Sequence, residues 1–129
     1  MGRLVSAGAI VYSQIDFYQP VSSINRLSGV VVASLSSASF INGSSIGWSL
    51  TDGTSVSDSS ISAGTIYFNE ITGSSGYYLV RFYADRVGYW RISITYPGLQ
   101  VERILEFDVI AAGSLKPGSS GGLVASFIK

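Results

Sequence analysis

The sequence predicts an all-β fold, a sandwich of roughly seven to nine short strands. Three observations point to it. Runs that alternate, or that are rich in β-branched and aromatic residues, recur about every ten residues. Glycine- and serine-rich segments with turn chemistry separate them. No window carries a helical period with caps.

Taken in order, RLVSAGAIVY (Arg3–Tyr12) and QIDFYQP (Gln14–Pro20) are the first strand candidates. SGVVVASLSS (Ser28–Ser37) is a β-branched run that reads as a strand, and SIGWSLTDG (Ser45–Gly53) alternates before an Asp52–Gly53 turn. SVSDSSISAG is a polar loop, TIYFNEI (Thr65–Ile71) a strand, and TGSSG another loop.

Next comes an aromatic block, GYYLVRFYADRVGYWRISITYPG (Gly76–Gly98). In its first strand Tyr78, Val80 and Phe82 share one face, opposite Tyr77, Leu79, Arg81 and Tyr83. ADRVG is a short connection, and the two aromatic strands are expected to form a hairpin. In the second strand Trp90, Ile92, Ile94 and Tyr96 oppose Tyr89, Arg91, Ser93 and Thr95. Pro97–Gly98 suits a type II turn. The last strand, LQVERILEFDVI, alternates except at Arg103 and Ile104, where a bulge or a swap of faces is expected. The globular domain is therefore placed at residues 3–112. Residues 113–129 form a Gly/Ser-rich linker ending in the apolar LVASFIK, which reads either as an arm donated to a neighbour or as a strand folded back on its own domain.

The 129 residues suit one domain able to bury a real core. Eight basic and eight acidic residues leave a net charge of zero. Six scattered arginines, with Lys116 and Lys129 near the C-terminus, do not make the cationic patch that phosphate neutralisation needs, so no nucleic-acid partner is expected. Without cysteine there are no disulfides or thiolate sites, and without histidine no Ser-His-Asp triad or imidazole base. No stretch approaches the roughly 20 apolar residues of a membrane-spanning helix, and no membrane partner is expected. MGRLVSAGAIVYSQ is a poor signal peptide because its apolar run is short, so the expectation is a protein made in a cytoplasm and not exported.

Candidate chemistry thins out on inspection. Glu102, Glu106 and Asp108 read as one face of a strand, but an i to i+4 pair lies ~13 Å apart along it, too far for a glycosidase. A cross-strand Glu102–Arg91 pair fits better. TDGTSVSD (Thr51–Asp58) lacks the register and terminal glutamate of a calcium loop and reads as a solvated turn. GSSGG and GSSG lack the lysine of a phosphate loop. The expectation is a protein that is not an enzyme, with no cofactor, no metal and no small-molecule substrate.

The aromatic block divides by strand face. Tyr78, Phe82 and Trp90 are expected in the core, with the Tyr78 hydroxyl bonded to local backbone. Tyr77, Tyr83 and Tyr89, interleaved with Arg81 and Arg91, form a candidate outward interface, since tyrosine and arginine are favoured where proteins meet. Leu123, Val124, Phe127 and Ile128 of the C-terminal arm complete that candidate set. Sugar stacking on Tyr77, Tyr83 and Tyr89, as in a carbohydrate-binding or adhesin module, is the alternative.

Residues Gly76, Tyr78, Val80, Phe82, Gly88, Trp90, Ile92 and Ile94 resemble a pattern of immunoglobulin-like repeats of the filamin and bacterial type. That pattern is G-x-Y-x-V-x-F, a short turn, G-x-W/Y, then alternating apolar residues and a closing strand. The resemblance covers roughly a third of the chain and implies an immunoglobulin-like β-sandwich. The whole chain also looks like small immunoglobulin-like virion proteins of tailed bacteriophages, which are short, lysine-poor, rich in serine and glycine, and often carry extended arms. That likeness implies a structural role in a head, as decoration or cement, or in a neck, tail or baseplate. The partners would be copies of itself and other virion proteins, assembled in the host cytoplasm.

Overall fold

A strand that alternates apolar and polar side chains must bury one side, and a second such strand supplies the complementary surface. The computed structural model, which describes residues 3–18 and 25–112, meets that requirement with two stacked sheets. The strands are β1 (Arg3–Ser6), β2 (Ile10–Asp16), β3 (Ser36–Ile41), β4 (Ser44–Ser45), β5 (Ser49–Asp52), β6 (Thr65–Glu70), β7 (Tyr77–Tyr83), β8 (Gly88–Tyr96) and β9 (Val101–Ile110). One sheet runs β1-β9-β8-β3-β4 and the other β2-β7-β6-β5. The protein is an all-β sandwich.

The two aromatic strands are not a hairpin. β7 pairs with β2 and β6, while β8 pairs with β3 and β9, so the connection at 84–87 crosses from one sheet to the other. The cause is the match between their apolar sides. Tyr78, Val80 and Phe82 from one sheet and Trp90, Ile92 and Ile94 from the other all have no exposed surface. The rings of Phe82 and Trp90 stack across the gap with centroids 5.4 Å apart and planes 25° apart. Phe107 meets the Phe82 edge at 5.3 Å, and Trp48 meets Trp90 at 5.2 Å. The Trp90 indole N–H donates to the Arg86 carbonyl at 2.9 Å, so the crossing segment is tied to the ring that required it.

The other end of the core is built on Tyr78. Its ring stacks on Phe68 at 5.1 Å and takes the edge of Phe17 at 5.8 Å. Its hydroxyl donates to the Leu27 carbonyl at 2.5 Å and accepts from the Val30 N–H at 3.1 Å. Those partners lie about fifty residues away in sequence, not locally as expected. Burial pushes this phenol above the usual tyrosine range.

That bond helps explain why Ser28–Ser37 is not a strand along its length. Glu70 accepts from the Gly29 N–H at 3.0 Å and Tyr78 from that of Val30, and a 3-10 turn follows at Val32–Ser34. Backbone donors taken by side chains are not available to a ladder, and β3 begins only at Ser36. Three other sequence expectations shift. Arg3–Tyr12 breaks at Ala7–Gly8, where the chain leaves one sheet for the other. The Pro97–Gly98 turn is a 3-10 turn, with Gln100 and not Gly98 in the left-handed region. β9 pairs with β8 in unbroken register from Val101 to Val109, with no bulge at Arg103.

Unbroken alternation turns Arg103 to the side of Val101, Leu105 and Phe107. Its Nε donates to the Asp16 carbonyl at 2.9 Å, and its guanidinium sits 5.8 Å from the Phe17 ring centre. Ile104, on the other side, is exposed. From β1, Arg3 likewise donates to the Tyr12 carbonyl at 2.6 Å. Both carbonyls belong to β2, an edge strand. Tyr12 and Asp16 fall on the parity that points away from β7, because Ala84 bonds Ala9 at the start of that ladder.

Gly88 is required by close approach as well as conformation. Its φ is +144°, and a Cβ there would lie 2.6 Å from the Asn42 amide nitrogen, whose side chain accepts from the Tyr89 N–H at 2.9 Å.

Tyr78→Phe keeps the stacked ring but strands the Val30 N–H and the Leu27 carbonyl, and should cost about 1–3 kcal/mol. Trp90→Ala should cost about 3–5 kcal/mol. Urea denaturation of both checks the order; a Trp90→Ala cost no larger than that of Tyr78→Phe would contradict the central role of the stack.

Candidate functional site

Because β7 and β8 belong to different sheets, the tyrosine and arginine set divides. Tyr77, Arg81 and Tyr83 lie on the outer face of the four-stranded sheet, and Tyr89 and Arg91 on the outer face of the five-stranded sheet. The two groups sit on opposite sides of the sandwich and cannot form one surface.

On the four-stranded sheet the register sets Tyr12, Arg81 and Tyr67 side by side across β2, β7 and β6. The loop that follows β5 folds over this row. Arg81, expected to face outward to a partner, is only 6% exposed. Its Nη1 donates to the Val56 carbonyl at 2.8 Å and to Asp58 Oδ1 at 3.0 Å, and its Nη2 to the Gly53 carbonyl at 2.9 Å. A buried guanidinium needs partners for its five N–H groups, and this loop supplies most of them, although Nε has none among the described residues. The loop can come this close because residue 53 is glycine. A Cβ there would meet Asn69 Oδ1 at 2.9 Å, Tyr67 Cβ at 3.0 Å and Arg81 Nη2 at 3.2 Å.

Asp58 completes the fastening. Tyr12 Oη donates to its second carboxylate oxygen while Arg81 holds the first. The Tyr12 hydrogen bond, then that of Arg81, keeps the Asp58 carboxyl below its ordinary range, and the same bond to Asp58 raises the Tyr12 phenol. Asp52 closes a smaller turn by accepting from both the N–H and the hydroxyl of Thr54. The carboxylates of the expected solvated turn Thr51–Asp58 are thus engaged by protein donors. Among the described residues no group of three or more acidic side chains is arranged to hold a metal ion.

Tyr77 is half-buried under Arg26, whose guanidinium lies 4.3 Å from the ring centre and whose Nε donates to Asp16 at 3.0 Å. Tyr83 is half-buried opposite Ile10, its hydroxyl 3.8 Å from where a Gly8 side chain would begin. A notch of about 360 Å³ opens where β5 stops short of the end of β6, between Asp52, Asn69, Glu70 and the 29–33 segment. Glu70 is committed to the N–H groups of Gly29 and Gly76, at 3.0 and 2.7 Å.

On the opposite face Tyr89 is 38% exposed and donates to Glu106 Oε2, which raises its phenol above the usual range. Arg91 is opposite Glu106 across β8 and β9, while Glu102 is opposite Thr95, so the expected Glu102–Arg91 pair is not formed by register. The short turn at Pro97–Leu99, which sets Tyr96 opposite Val101, fixes that register. Leu4, Ile104 and Phe40 add apolar surface to this face. Leu123, Val124, Phe127 and Ile128 lie outside the described residues.

Sequence reasoning passed over Tyr12, Asp58 and Arg26. Only Asp58 left a trace, as the acidic residue of a serine-rich loop. No protein-family model matches this sequence, and no match was found among curated proteins.

The Tyr89 phenol has a raised folded-state pKa, so its bond to Glu106 contributes below the unfolded tyrosine value and is lost as pH rises through the folded one. Glu106→Gln should bring Tyr89 ionisation down towards the ordinary tyrosine range. Carbon-13 NMR of labelled tyrosine reads this directly, and an unmoved Tyr89 titration would contradict the assignment of Glu106 as the cause.

Proposed function

We propose that this chain is an immunoglobulin-like, non-enzymatic structural protein of a bacteriophage virion, acting by assembly with copies of itself or with other virion proteins. The immunoglobulin-like part is supported by strand order. In such sandwiches one sheet carries B, E and D and the other G, F and C, with C′ added in the variable type. Here β2-β7-β6 and β9-β8-β3-β4 follow those orders. The motif from Gly76 to Ile94 then spans the E and F positions.

The observation that carries the assembly reading is the placement of tyrosine, arginine and exposed aliphatic side chains on both outer faces. Tyr89, Arg91, Leu4 and Ile104 occupy one side, and Tyr12, Tyr77, Arg26 and Tyr83 the other. A subunit with contact chemistry on two opposite sides suits a position between two neighbours. A sugar-binding module needs aromatic platforms together on one side. The division of Tyr89 from Tyr77 and Tyr83 removes one of the three platforms on which the carbohydrate reading was based. The virion setting, with assembly in the host cytoplasm as a decoration, neck, tail or baseplate component, rests on the compositional likeness. The apolar end of the chain, Leu123 to Ile128, is proposed as a further contact.

Deleting residues 114–129 should abolish the oligomer or particle seen by light scattering after size exclusion, while leaving the far-ultraviolet dichroism of the sandwich. An assembly of unchanged mass would sink the arm as a contact. Tyr89→Ala with Ile104→Ser tests the outer face separately, and should weaken assembly without altering the fold.

A further inference from the structure

We infer that residues 53–61 form a strap latched over the outer face of the four-stranded sheet, and that the latch opens when Asp58 loses its charge. Three features carry this. The strap is attached to the sheet chiefly through Arg81, which reaches the carbonyls of Gly53 and Val56 and the Asp58 carboxylate, with Tyr12 on the same carboxylate and the Gly53 N–H on the Phe68 carbonyl at 3.0 Å. Its own backbone bonding is local, a turn closed by the Val56 N–H on the Gly53 carbonyl at 3.1 Å and a short 3-10 turn, Asp58–Ser60. Its far end is pinned by one apolar residue, Ile61, which is buried. Between those anchors the strap is serine-rich and exposed, the composition of a segment with little apolar contact of its own.

Asp58 is where the latch is sensitive. Among the described residues, the charged and titratable groups that face it are the Arg81 guanidinium from β7 and the Tyr12 phenol from β2. Because hydrogen bonds from both hold its folded pKa down, the stabilisation is present above the unfolded aspartate value and is lost as pH falls through the folded one. Protonation would replace an ion pair on a buried guanidinium with a neutral contact, leaving the Arg81 charge compensated only by carbonyls. On the alkaline side Tyr12 behaves in the opposite sense: its phenol is raised, and its ionisation would set two negative groups against each other.

Opening would uncover Arg81, Tyr67 and more of Tyr12, which lie side by side in register. The strap therefore hides a tyrosine and arginine row until it is released. Use of that row in assembly rests on the preceding proposal, whereas the latch itself does not.

Hydrogen exchange on the full chain separates the two. After correction for intrinsic exchange, the amides of Val56, Ser60 and Ile61 should lose up to about threefold in protection between about pH 7.5 and pH 3.5, while those of β7 and β8 hold. Asp58→Ala should show the open pattern already at the higher pH, with Tyr12→Phe intermediate. Equal protection of the strap at both pH values, in a chain whose β7 and β8 amides hold, would overturn the inference. So would an Asp58→Ala strap as protected as the wild type, and that comparison decides the matter if acid unfolds the whole domain. Light scattering on Asp58→Ala then reports on assembly independently.

Discussion

The stack of Phe82 on Trp90 is the contact on which the rest of the molecule depends. Both rings come from the same short stretch of sequence, yet they approach from opposite sheets. This is possible only if the chain between them crosses the sandwich instead of turning back on itself. The crossing assigns β7 and β8 to different sheets, and so determines which neighbours each can pair with. It also sends the outward side chains of the two strands to opposite surfaces. The Trp90 indole bonded to the Arg86 carbonyl joins the cause to its effect, since the ring that requires the crossing also holds the crossing segment.

A second constraint operates on the outside. Arg81 lies on the face of β7 that alternation turns away from the core, and yet it is buried. Its charge could not be covered by apolar packing, because a buried guanidinium without partners is strongly unfavourable. A polar loop able to offer carbonyls and a carboxylate is the suitable cover, and residues 53–58 have that composition. The absence of a side chain at Gly53 lets that backbone approach Tyr67, Asn69 and Arg81. Sheet and loop thus specify each other chiefly through Arg81, with Tyr12 bonded to the same carboxylate.

How much of this was legible in the sequence follows from what alternation encodes. Period-two patterning identifies which side of a strand is buried, and the burial of Tyr78, Val80, Phe82, Trp90, Ile92 and Ile94 follows that parity. It carries no information about which strand lies alongside, so a short link between two strands reads equally as a hairpin or as a crossing. It also cannot anticipate long-range cover. Nothing near Arg81 in sequence announces Asp58, and nothing near Val30 announces the Tyr78 hydroxyl. At Arg103 the pattern misled in the other direction. A charged residue on the inner side looked like a break in the strand, when its long side chain passes along the Phe17 ring to a carbonyl at the rim.

The two arginines at that rim have a bearing on how a sheet edge is protected. Among the described residues β2 is the longest edge strand, seven residues with one side unpaired, whereas β1, β4 and β5 are only two to four residues long. A long open edge is a template for another chain, and stacking by edges has no natural end point. Arg3 and Arg103 occupy the Tyr12 and Asp16 carbonyls that such an incoming strand would need. Under the assembly proposed above, that occupancy favours contact between copies through side-chain surfaces, whose shape can fix an angle between neighbours.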